Sequence, residues 1–379
     1  MNAKMSFFNR SHKVVISGYY GFDNCGDEAV LLAMIHCLKK LAPNIRIVVL
    51  SNNPKKTRDL YSVEAANRWN PLRVAFELIF CRLVLCGGGS LLQDVTSAKS
   101  LSYYLAIISF AAFFRKRIMI YSQGIGPLNM EKSRVKVSRA LNRCHTITVR
   151  DERSAELIGD LGVKHDVHVT CDPVMALCPD DIDSCGLEDD LHGILVSESK
   201  DKKRNPLLVA AIRQWSDNRH LAVVAEFLDT QVKRGWDVLL VSAHHPHDME
   251  AVDKVFQLMT ERTYRLDSNL TARSFLALTA RADRVFSMRL HGLICAFSAG
   301  TPLIGLSYDP KVDAFMAQAG LSSYCLPYDT FNSKAAERLS EELDNPLPQS
   351  RQDEDVLRRE MRQMAWDTAK KAAALIITG

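Results

Sequence analysis

Residues 13–41, KVVISGYYGFDNCGDEAVLLAMIHCLKKL, predict a complete strand–turn–helix unit and decide the fold class. Lys13 to Tyr20 is a β-branched run that predicts a strand, and the glycines of Gly21 to Gly26 predict a turn. Residues 27–41 predict a helix, whose apolar face is formed by Leu31, Met34, Ile35, Leu38 and Leu41. Short apolar strands that alternate with helices are typical of parallel, doubly wound sheets.

The same pattern recurs on both sides of an acidic segment. In the first half it predicts strands at Ile45–Leu50, Leu83–Cys86, Arg117–Ser122, Thr146–Val149 and Val167–Thr170. In the second half it predicts strands at Leu207–Ile212, Asp237–Val241, Tyr264–Leu266, Arg284–Ser287 and Pro302–Leu306. The sequence therefore predicts an α/β protein of two Rossmann-like lobes, whose parallel sheets face a central cleft.

Four regions follow from this pattern. We expect an N-terminal lobe at residues 1–177, an acidic linker region at 178–205, a C-terminal lobe at 206–345 and a C-terminal helix at 346–379. Six acids at 178–190 favour a solvated linker, and a metal site is the alternative there.

Composition excludes several classes of protein. The 379 residues are 47% hydrophobic and 24% charged, which excludes a disordered chain, collagen and a disulfide-stapled miniprotein. The net charge of +4 is mildly basic, so we expect no nucleic-acid partner, while an anionic small molecule or an anionic surface fits. Of the ten cysteines, four lie in apolar runs and predict core positions: Cys37, Cys86, Cys144 and Cys295.

The N-terminus and one apolar stretch bear on location. Residues 1–13 have no apolar region of the length that a signal peptide needs, so we expect a cytoplasmic protein with reduced thiols. Leu101 to Phe114 is too short to span a bilayer and is followed by Arg115, Lys116 and Arg117. A buried helix is one interpretation, and peripheral contact with the inner face of the membrane is the other.

The nucleotide-binding motifs do not fit. Gly18, Gly21 and Gly26 do not match G-x-G-x-x-G, and the second strand ends at Ser51, where a ribose-binding acid is expected. The sequence contains no P-loop, no G-x-S-x-G and no H-E-x-x-H. A dinucleotide site is therefore disfavoured.

Polar turns and glycine loops follow several predicted strands. Asn24 with Asp27 and Glu28 fits ordinary helix capping, or a loop whose carboxylates bind sugar hydroxyls. The glycines 87–89 and 124–126 fit either close approach to a ligand or tight packing against a helix.

Cations also gather at predicted strand ends. Each one alone fits a salt bridge, but together they fit a small polyanion that carries phosphate and carboxylate: Arg150, Arg213, Arg289 and Lys311. His291 follows Arg289, and a histidine there can act as an acid near neutral pH.

Histidines 244, 245 and 247 with Asp248 are a further alternative for a metal. Because adjacent side chains on a strand point to opposite faces, His244 and His245 would not converge, and we expect no metal site.

Six segments together resemble the polysaccharide pyruvyl transferases, most closely the CsaB type of bacterial cell walls. The similarity runs from about residue 14 to 330 and rests on GYYG (18–21) with NCGDEA (24–29), CGGGSLLQD (86–94), QGIGP (123–127), VRDERS (149–154), SMRLH (287–291) and YDPKV (308–312). Cys25 stands where the family often has a small residue.

The resemblance implies a GT-B-like fold and a transferase that needs no cofactor. Phosphoenolpyruvate would be the donor co-substrate, and a lipid-linked saccharide, resembling N-acetylmannosamine of a secondary cell wall polymer, would be the acceptor. The product would be a 4,6-ketal whose negative charge S-layer proteins recognise.

The matching positions also imply roles. Catalysis would fall to His291, Arg150 and Lys311, and donor binding to Arg150, Arg213, Arg289, Leu290, His291 and Lys311. Acceptor binding would fall to Asn24, Asp27, Glu28, Gly88, Gly89 and Gln123. A nucleotide-sugar glycosyltransferase of the same fold and a non-catalytic sugar-binding protein are the alternatives.

Overall fold

The computed structural model describes residues 12–95, 98–179, 205–345 and 348–377. Within these residues the chain forms two compact units. Of the described residues, the first unit draws on 12–22, 30–95, 98–176 and 361–377, and the second on 23–29, 177–179, 205–345 and 348–360. Most of the predicted acidic linker at 178–205 lies outside the described residues.

The first unit is a seven-stranded parallel sheet with the order β3-β2-β1-β4-β5-β6-β7. Its strands are β1 (Lys13–Ser17), β2 (Arg46–Ser51), β3 (Glu64–Asn67), β4 (Leu83–Gly87), β5 (Arg117–Gln123), β6 (Thr146–Val149) and β7 (Val167–Val169). Its helices are α1 (Cys25–Leu41), α2 (Pro54–Tyr61), α3 (Pro71–Ile79), α4 (Ala98–Phe113), α5 (Glu131–Leu141) and α6 (Glu152–Asp160). The first five residues of α1 belong to the second unit. In the central register Val15 lies opposite Val48 and Val84, and all three are buried.

The second unit is a six-stranded parallel sheet with the order β10-β9-β8-β11-β12-β13. Its strands are β8 (Leu207–Ala211), β9 (Asp237–Val241), β10 (Tyr264–Arg265), β11 (Arg284–Ser287), β12 (Leu303–Ser307) and β13 (Cys325–Pro327). Its helices are α7 (His220–Lys233), α8 (Met249–Leu258), α9 (Ala272–Arg281), α10 (Leu290–Ala299), α11 (Pro310–Gln318) and α12 (Ser333–Asp344). The predicted α/β class with two parallel sheets and flanking helices is therefore confirmed.

The last helix, α13 (Pro348–Ile377), begins in the second unit and ends in the first. Its C-terminal half is bonded to the loop after β7. Thr170 and Thr368 share a hydrogen bond of 2.9 Å between their hydroxyls, and Cys171 Sγ donates to the Met361 carbonyl at 2.9 Å. This half of α13 is thus part of the first unit's packing.

Two strands, β3 and β13, were not expected from the sequence. Their sequences, EAAN and CLP, are short and contain no β-branched residue, whereas most of the other strands contain at least one. Both lie at a sheet edge, where one side of the strand needs no partner.

The stretch 101–114 is mostly the buried helix α4, whose inward face carries Leu101, Tyr104, Ile107 and Ile108. Among the described residues no helix has the length and apolar character needed to cross a membrane. The four cysteines expected in the core are all buried there.

Candidate functional site

The predicted acid, His291, is the second residue of α10, at the carboxyl end of β11. A tight turn carries it there. Ser287 Oγ accepts a hydrogen bond from the Arg289 amide at 3.0 Å and donates to the Arg289 carbonyl at 2.9 Å. The residue after His291 is Gly292, and only glycine fits there, because a Cβ added to it would lie 3.1 Å from Ser287 Cβ and closer still to the Ser287 hydroxyl.

The loop that opens α1 belongs to the same unit as His291. The Cys25 amide donates to the Ala243 carbonyl at 2.9 Å, and Asn24 pairs with His244 in an isolated antiparallel bridge. Cys25 Sγ donates to the Leu270 carbonyl at 3.2 Å. These bonds fix the loop to the carboxyl edge of the second sheet.

Gly26 brings this loop into contact with the imidazole of His291. A Cβ added to Gly26 would lie 2.5 Å from Cγ and 2.8 Å from Cβ of His291, and closer still to Nδ1. Carbon atoms in contact are normally about 3.5–4.0 Å apart, so only glycine fits here.

Two carboxylates follow Gly26 directly. Asp27 and Glu28 lie in the first turn of α1, and each is 8% exposed. Asn24 Oδ1 accepts from the Gly26 amide at 3.1 Å, which is the capping chemistry expected at this position. The predicted acceptor residues Asn24, Asp27 and Glu28 therefore belong to the unit that holds His291.

Arg289 is held by a buried carboxylate. Its Nε donates to Asp248 Oδ2 at 2.9 Å, and its Nη2 makes a second, shorter bond to Asp248 Oδ1. The Asp248 side chain is 1% exposed and also accepts from the His244 amide at 3.0 Å. Asp248 thus balances the charge of Arg289 and fixes the start of α10.

The histidine cluster after β9 was the alternative for a metal. The rings of His244 and His247 have centroids 4.5 Å apart, and Asp248 faces Arg289. Over the described ranges, no three His, Cys, Asp or Glu side chains are grouped so that they could hold a metal ion.

Two more predicted cations lie at the same edge of the second sheet, because β8, β11 and β12 are neighbours and parallel. Arg213 Nη1 donates to the Tyr308 hydroxyl at 2.7 Å, and its guanidinium lies over the Trp215 ring, 5.4 Å from the centroid. Lys311 Nζ lies 3.0 Å from Asp309 Oδ2, and about a third of the lysine side chain is exposed. This edge therefore collects Arg213, Lys311 and His291.

A buried histidine contacts the segment that carries Arg213. His220 Nε2 lies 2.9 Å from the Arg213 carbonyl, and the histidine is 2% exposed. Burial lowers the pKa of His220, because it disfavours the charged imidazolium.

The first unit holds the remaining predicted site residues at the carboxyl ends of β4, β5 and β6. Arg150 is 6% exposed, and its Nη2 donates to Ser90 Oγ at 3.0 Å. Asp151 and Asp172 lie 3.5 and 3.7 Å from the guanidinium. A Cβ on Gly124 would lie 2.9 Å from Arg150 Nη2, so this glycine gives the guanidinium its room.

The glycine loop after β4 has the conformation that glycine allows. Gly88 and Gly89 have φ angles of 83° and 64°, in the left-handed region. The Gly124 amide donates to the Gly89 carbonyl at 3.1 Å, which joins the two loops. Gln123 is 1% exposed, and its Oε1 has no hydrogen-bond partner among the described residues.

Sequence reasoning missed one buried cation in the first unit. Arg68 follows β3, is 5% exposed and donates through Nη1 to the Gly18 carbonyl at 2.8 Å. Its guanidinium lies within 5.5 Å of the ring centroids of Phe22, Trp69, Tyr103 and Tyr104. Because β3 was not predicted, Arg68 could not be recognised as a strand-end residue.

Known proteins resemble this chain in sequence and in fold. The family model described as polysaccharide pyruvyl transferase matches residues 24–310. A search of curated proteins finds no match.

Solved structures show where else the fold occurs. The UDP-GlcNAc 2-epimerase of Neisseria meningitidis is similar with a TM-score of 0.60 at 11% identity, over 97% of this chain and 100% of that one. A glycosyltransferase of Rickettsia africae gives 0.60 at 13% identity, over 97% and 99%. The UDP-GlcNAc 2-epimerase of Methanocaldococcus jannaschii gives 0.63 at 12% identity, over 92% and 98%. At such low identity these similarities establish the fold alone, two Rossmann-like units of GT-B type.

Proposed function

Because the chain belongs to the polysaccharide pyruvyl transferase family, we propose that it moves the pyruvyl group of phosphoenolpyruvate onto a sugar of a cell-wall or exopolysaccharide precursor. The acceptor of this proposal is a lipid-linked β-N-acetylmannosamine residue, and phosphate is released. The product is a ketal that bridges O4 and O6 of the sugar.

The observation that carries the proposal is the contact of the α1 loop with His291. The imidazole of His291 lies at a helix N-terminus against Gly26, and two buried carboxylates, Asp27 and Glu28, follow that glycine in the chain. Arg213 and Lys311 lie at the same sheet edge. Sugar hydroxyls suit the carboxylates, and phosphate suits the cations.

In the proposed reaction His291 gives a proton to C3, the methylene carbon of phosphoenolpyruvate. The electron pair of the C2–C3 double bond forms the new C–H bond, which leaves an oxocarbenium-like centre at C2. One sugar hydroxyl oxygen bonds to C2, and the bond from C2 to the phosphate oxygen breaks with its electron pair on phosphate. The second hydroxyl then closes the ketal.

The protons balance in this scheme. Of the two hydroxyl protons, one returns to His291 and the other leaves with phosphate. Cations that stabilise the departing phosphate contribute several kcal/mol where water is excluded. We assign that role to Lys311 and Arg213, and we assign Arg289, neutralised by Asp248, mainly to holding Leu290 and His291 in place.

The test incubates the pure protein with phosphoenolpyruvate and a β-linked N-acetylmannosaminyl acceptor. Ketal formation is followed by mass spectrometry, and phosphate release by a colorimetric assay. His291→Gln should lower turnover on the order of 10²–10⁴-fold while phosphoenolpyruvate still binds. His168→Gln, an exposed histidine on β7, is the matched control and should keep full turnover.

Arg150→Lys extends the test to the first unit. Lysine keeps the positive charge and loses the guanidinium geometry with Ser90, so reduced turnover would support a role for Arg150 in the reaction.

Three outcomes contradict the proposal. Full turnover of His291→Gln would remove this residue from the mechanism. Turnover of a UDP-sugar, with none of phosphoenolpyruvate, would instead support a glycosyltransferase. Saccharide binding without phosphate release under any condition would support a non-catalytic binding protein.

A further inference from the structure

One layer of helices in the first unit carries large exposed apolar side chains. Trp69, which precedes α3, is 61% exposed, and Leu72 and Phe76 on α3 are 84% and 49% exposed. Phe113 at the end of α4 is 79% exposed. Single exposed apolar residues are ordinary, but a group of them on adjoining helices marks an interaction surface.

Helices α3, α4 and α5 lie on the same face of the sheet. The crossovers β3 to β4, β4 to β5 and β5 to β6 all run in one direction across the strand order, and right-handed crossovers then place their helices on one side. Inward residues of all three helices share one core: Val74, Leu78, Leu101, Ile108, Val137 and Leu141. We call the outward side of these helices and their flanking residues, 69–82, 98–117 and 130–143, the basic layer.

The basic layer has a strong positive excess. It contains two acids and eleven basic residues, so its excess is nine charges, compared with +4 for the whole chain. The basic residues are Arg73, Arg82, Lys99, Arg115, Lys116, Arg117, Lys132, Arg134, Lys136, Arg139 and Arg143.

The two acids do little to offset this charge. The Glu77 side chain is 1% exposed and is ion-paired with Lys13 and Arg73. Glu131 opens α5, where it favours the helix dipole, and lies 3.9 Å from Arg134. The charge that α3, α4 and α5 present to solvent is therefore mostly positive. Helix α6, which follows on the same face, carries Glu152, Glu156 and Asp160 and marks the acidic border of the basic layer.

Some of the exposed rings are held in fixed positions. Trp69 Nε1 donates to Asn52 Oδ1 at 2.8 Å, although the ring stands mostly in solvent. The Phe76 and Phe80 rings have centroids 4.8 Å apart, and those of Phe113 and Phe114 are 5.0 Å apart. Rings held outward in this way are prepared for an apolar partner.

We propose that the basic layer binds the surface of an anionic lipid bilayer. Tryptophan and phenylalanine enter the interfacial region of a bilayer, and lysine and arginine bind anionic headgroups. A nucleic acid would satisfy the cations but would leave Leu72 and Phe113 without an apolar partner. The inference goes beyond the proposed reaction, and its test does not use that reaction.

The test measures how much of the full chain sediments with phosphatidylcholine vesicles, with and without phosphatidylglycerol. We expect binding that depends on phosphatidylglycerol and weakens at high salt. The fluorescence of Trp69 should shift to the blue on binding, and Trp69→Phe should abolish this shift while most of the protein still sediments.

Double variants test the electrostatic and the apolar contribution to membrane binding separately. Lys132→Glu with Lys136→Glu should weaken partitioning on the order of 10- to 100-fold, since each basic residue near an anionic surface counts for about fivefold. The matched control, Lys233→Glu with Lys334→Glu in the second unit, should bind as the wild type does.

A second double variant tests the apolar contribution to membrane binding. Leu72→Ser with Phe113→Ser should weaken partitioning on the order of tenfold or more. Leu258→Ser, at a position that is 38% exposed in the second unit, is the control. Because Leu72 and Phe113 are mostly exposed, thermal melting of this double variant should show unchanged stability.

Several results would overturn the proposal. These are absent binding to phosphatidylglycerol vesicles, or equal effects of the paired variants and their controls. Self-association in the ultracentrifuge that disappears with Leu72→Ser would assign the surface to a second copy of the chain. Preferential binding of duplex DNA over vesicles at the same salt would assign it to nucleic acid.

Discussion

Replacing Gly26 by alanine sets two physical effects against each other. Gly26 lies in the first turn of α1, and alanine in place of a helical glycine stabilises a helix by about 1 kcal/mol. The added Cβ, however, would lie 2.5 Å from Cγ and 2.8 Å from Cβ of His291. To restore a contact of about 3.5 Å, the imidazole or the loop must move by roughly 1 Å.

The loop has little freedom to retreat. The Cys25 amide is bonded to the Ala243 carbonyl at 2.9 Å, and Cys25 Sγ to the Leu270 carbonyl at 3.2 Å. Overpacking of this kind costs about 1–3 kcal/mol, which exceeds the gain in helix propensity. We therefore expect Gly26→Ala to destabilise the protein by up to about 2 kcal/mol. A displacement of about 1 Å at His291 should also cost on the order of 10²-fold in turnover.

The assay combines unfolding in urea with phosphate release from phosphoenolpyruvate. Gly159→Ala is the matched control, because Gly159 lies within α6 and an added Cβ there would meet nothing within 4 Å. This control should raise the free energy of unfolding by about 0.5–1 kcal/mol and leave turnover unchanged. In a His291→Ala background the Gly26→Ala change should become as favourable as the control.

Two results would refute this reasoning. If Gly26→Ala stabilises the protein as Gly159→Ala does and leaves turnover intact, the loop does not rest on the imidazole. If Gly26→Ala destabilises the protein equally with and without the His291 ring, the clash has another partner.

Three further changes probe the buried charges. Asp248→Asn should cost about 3 kcal/mol of unfolding free energy, because Arg289 loses its counter-charge. Adding Arg289→Gln should restore most of this loss. If the single and the double variant lose equal stability in urea, the ion pair is not the cause. Lys13→Met should cost about 3–5 kcal/mol by leaving Glu77 buried without its main partner, whereas Lys13→Met with Glu77→Leu should melt close to the wild type. Burial lowers the pKa of His220 in the folded state, so the stabilising contribution of the neutral imidazole is complete above about pH 6.5 and is lost as the pH falls. The unfolding free energy of His220→Gln should therefore fall less between pH 7 and pH 5 than that of the wild type. Parallel pH curves for the two proteins would show that His220 does not cause this pH dependence.

The sequence predicted those parts of the fold whose periodicity is strong. Apolar strands such as β1 and β8, and helix α1 with its apolar face, lie within a few residues of the expected bounds. The strands β3 and β13 escaped prediction because their sequences, EAAN and CLP, contain no β-branched residue to mark a strand.

Site residues could be predicted where they follow a strand, but not where they depend on a contact between distant parts of the chain. Arg213, His291 and Lys311 could be predicted to share one edge, because parallel strands end on the same side of a sheet. The partnership of Asp248 with Arg289 depends on a contact between residues 41 positions apart, which no local pattern contains. The excess charge of the basic layer was also hidden, because the net charge of +4 averages it with acidic segments elsewhere.

The packing of α13 against the first unit has a consequence for how the protein is made. Met361 and Thr368 contact the loop after β7, yet a ribosome adds them almost two hundred residues later than that loop. The second unit likewise takes Cys25 from the start of the chain. Neither unit corresponds to one continuous stretch of the gene, so a nascent chain cannot finish the first unit until Met361 to Thr368 have been synthesised. Prematurely terminated chains would therefore expose apolar surface and become substrates for chaperones and proteases.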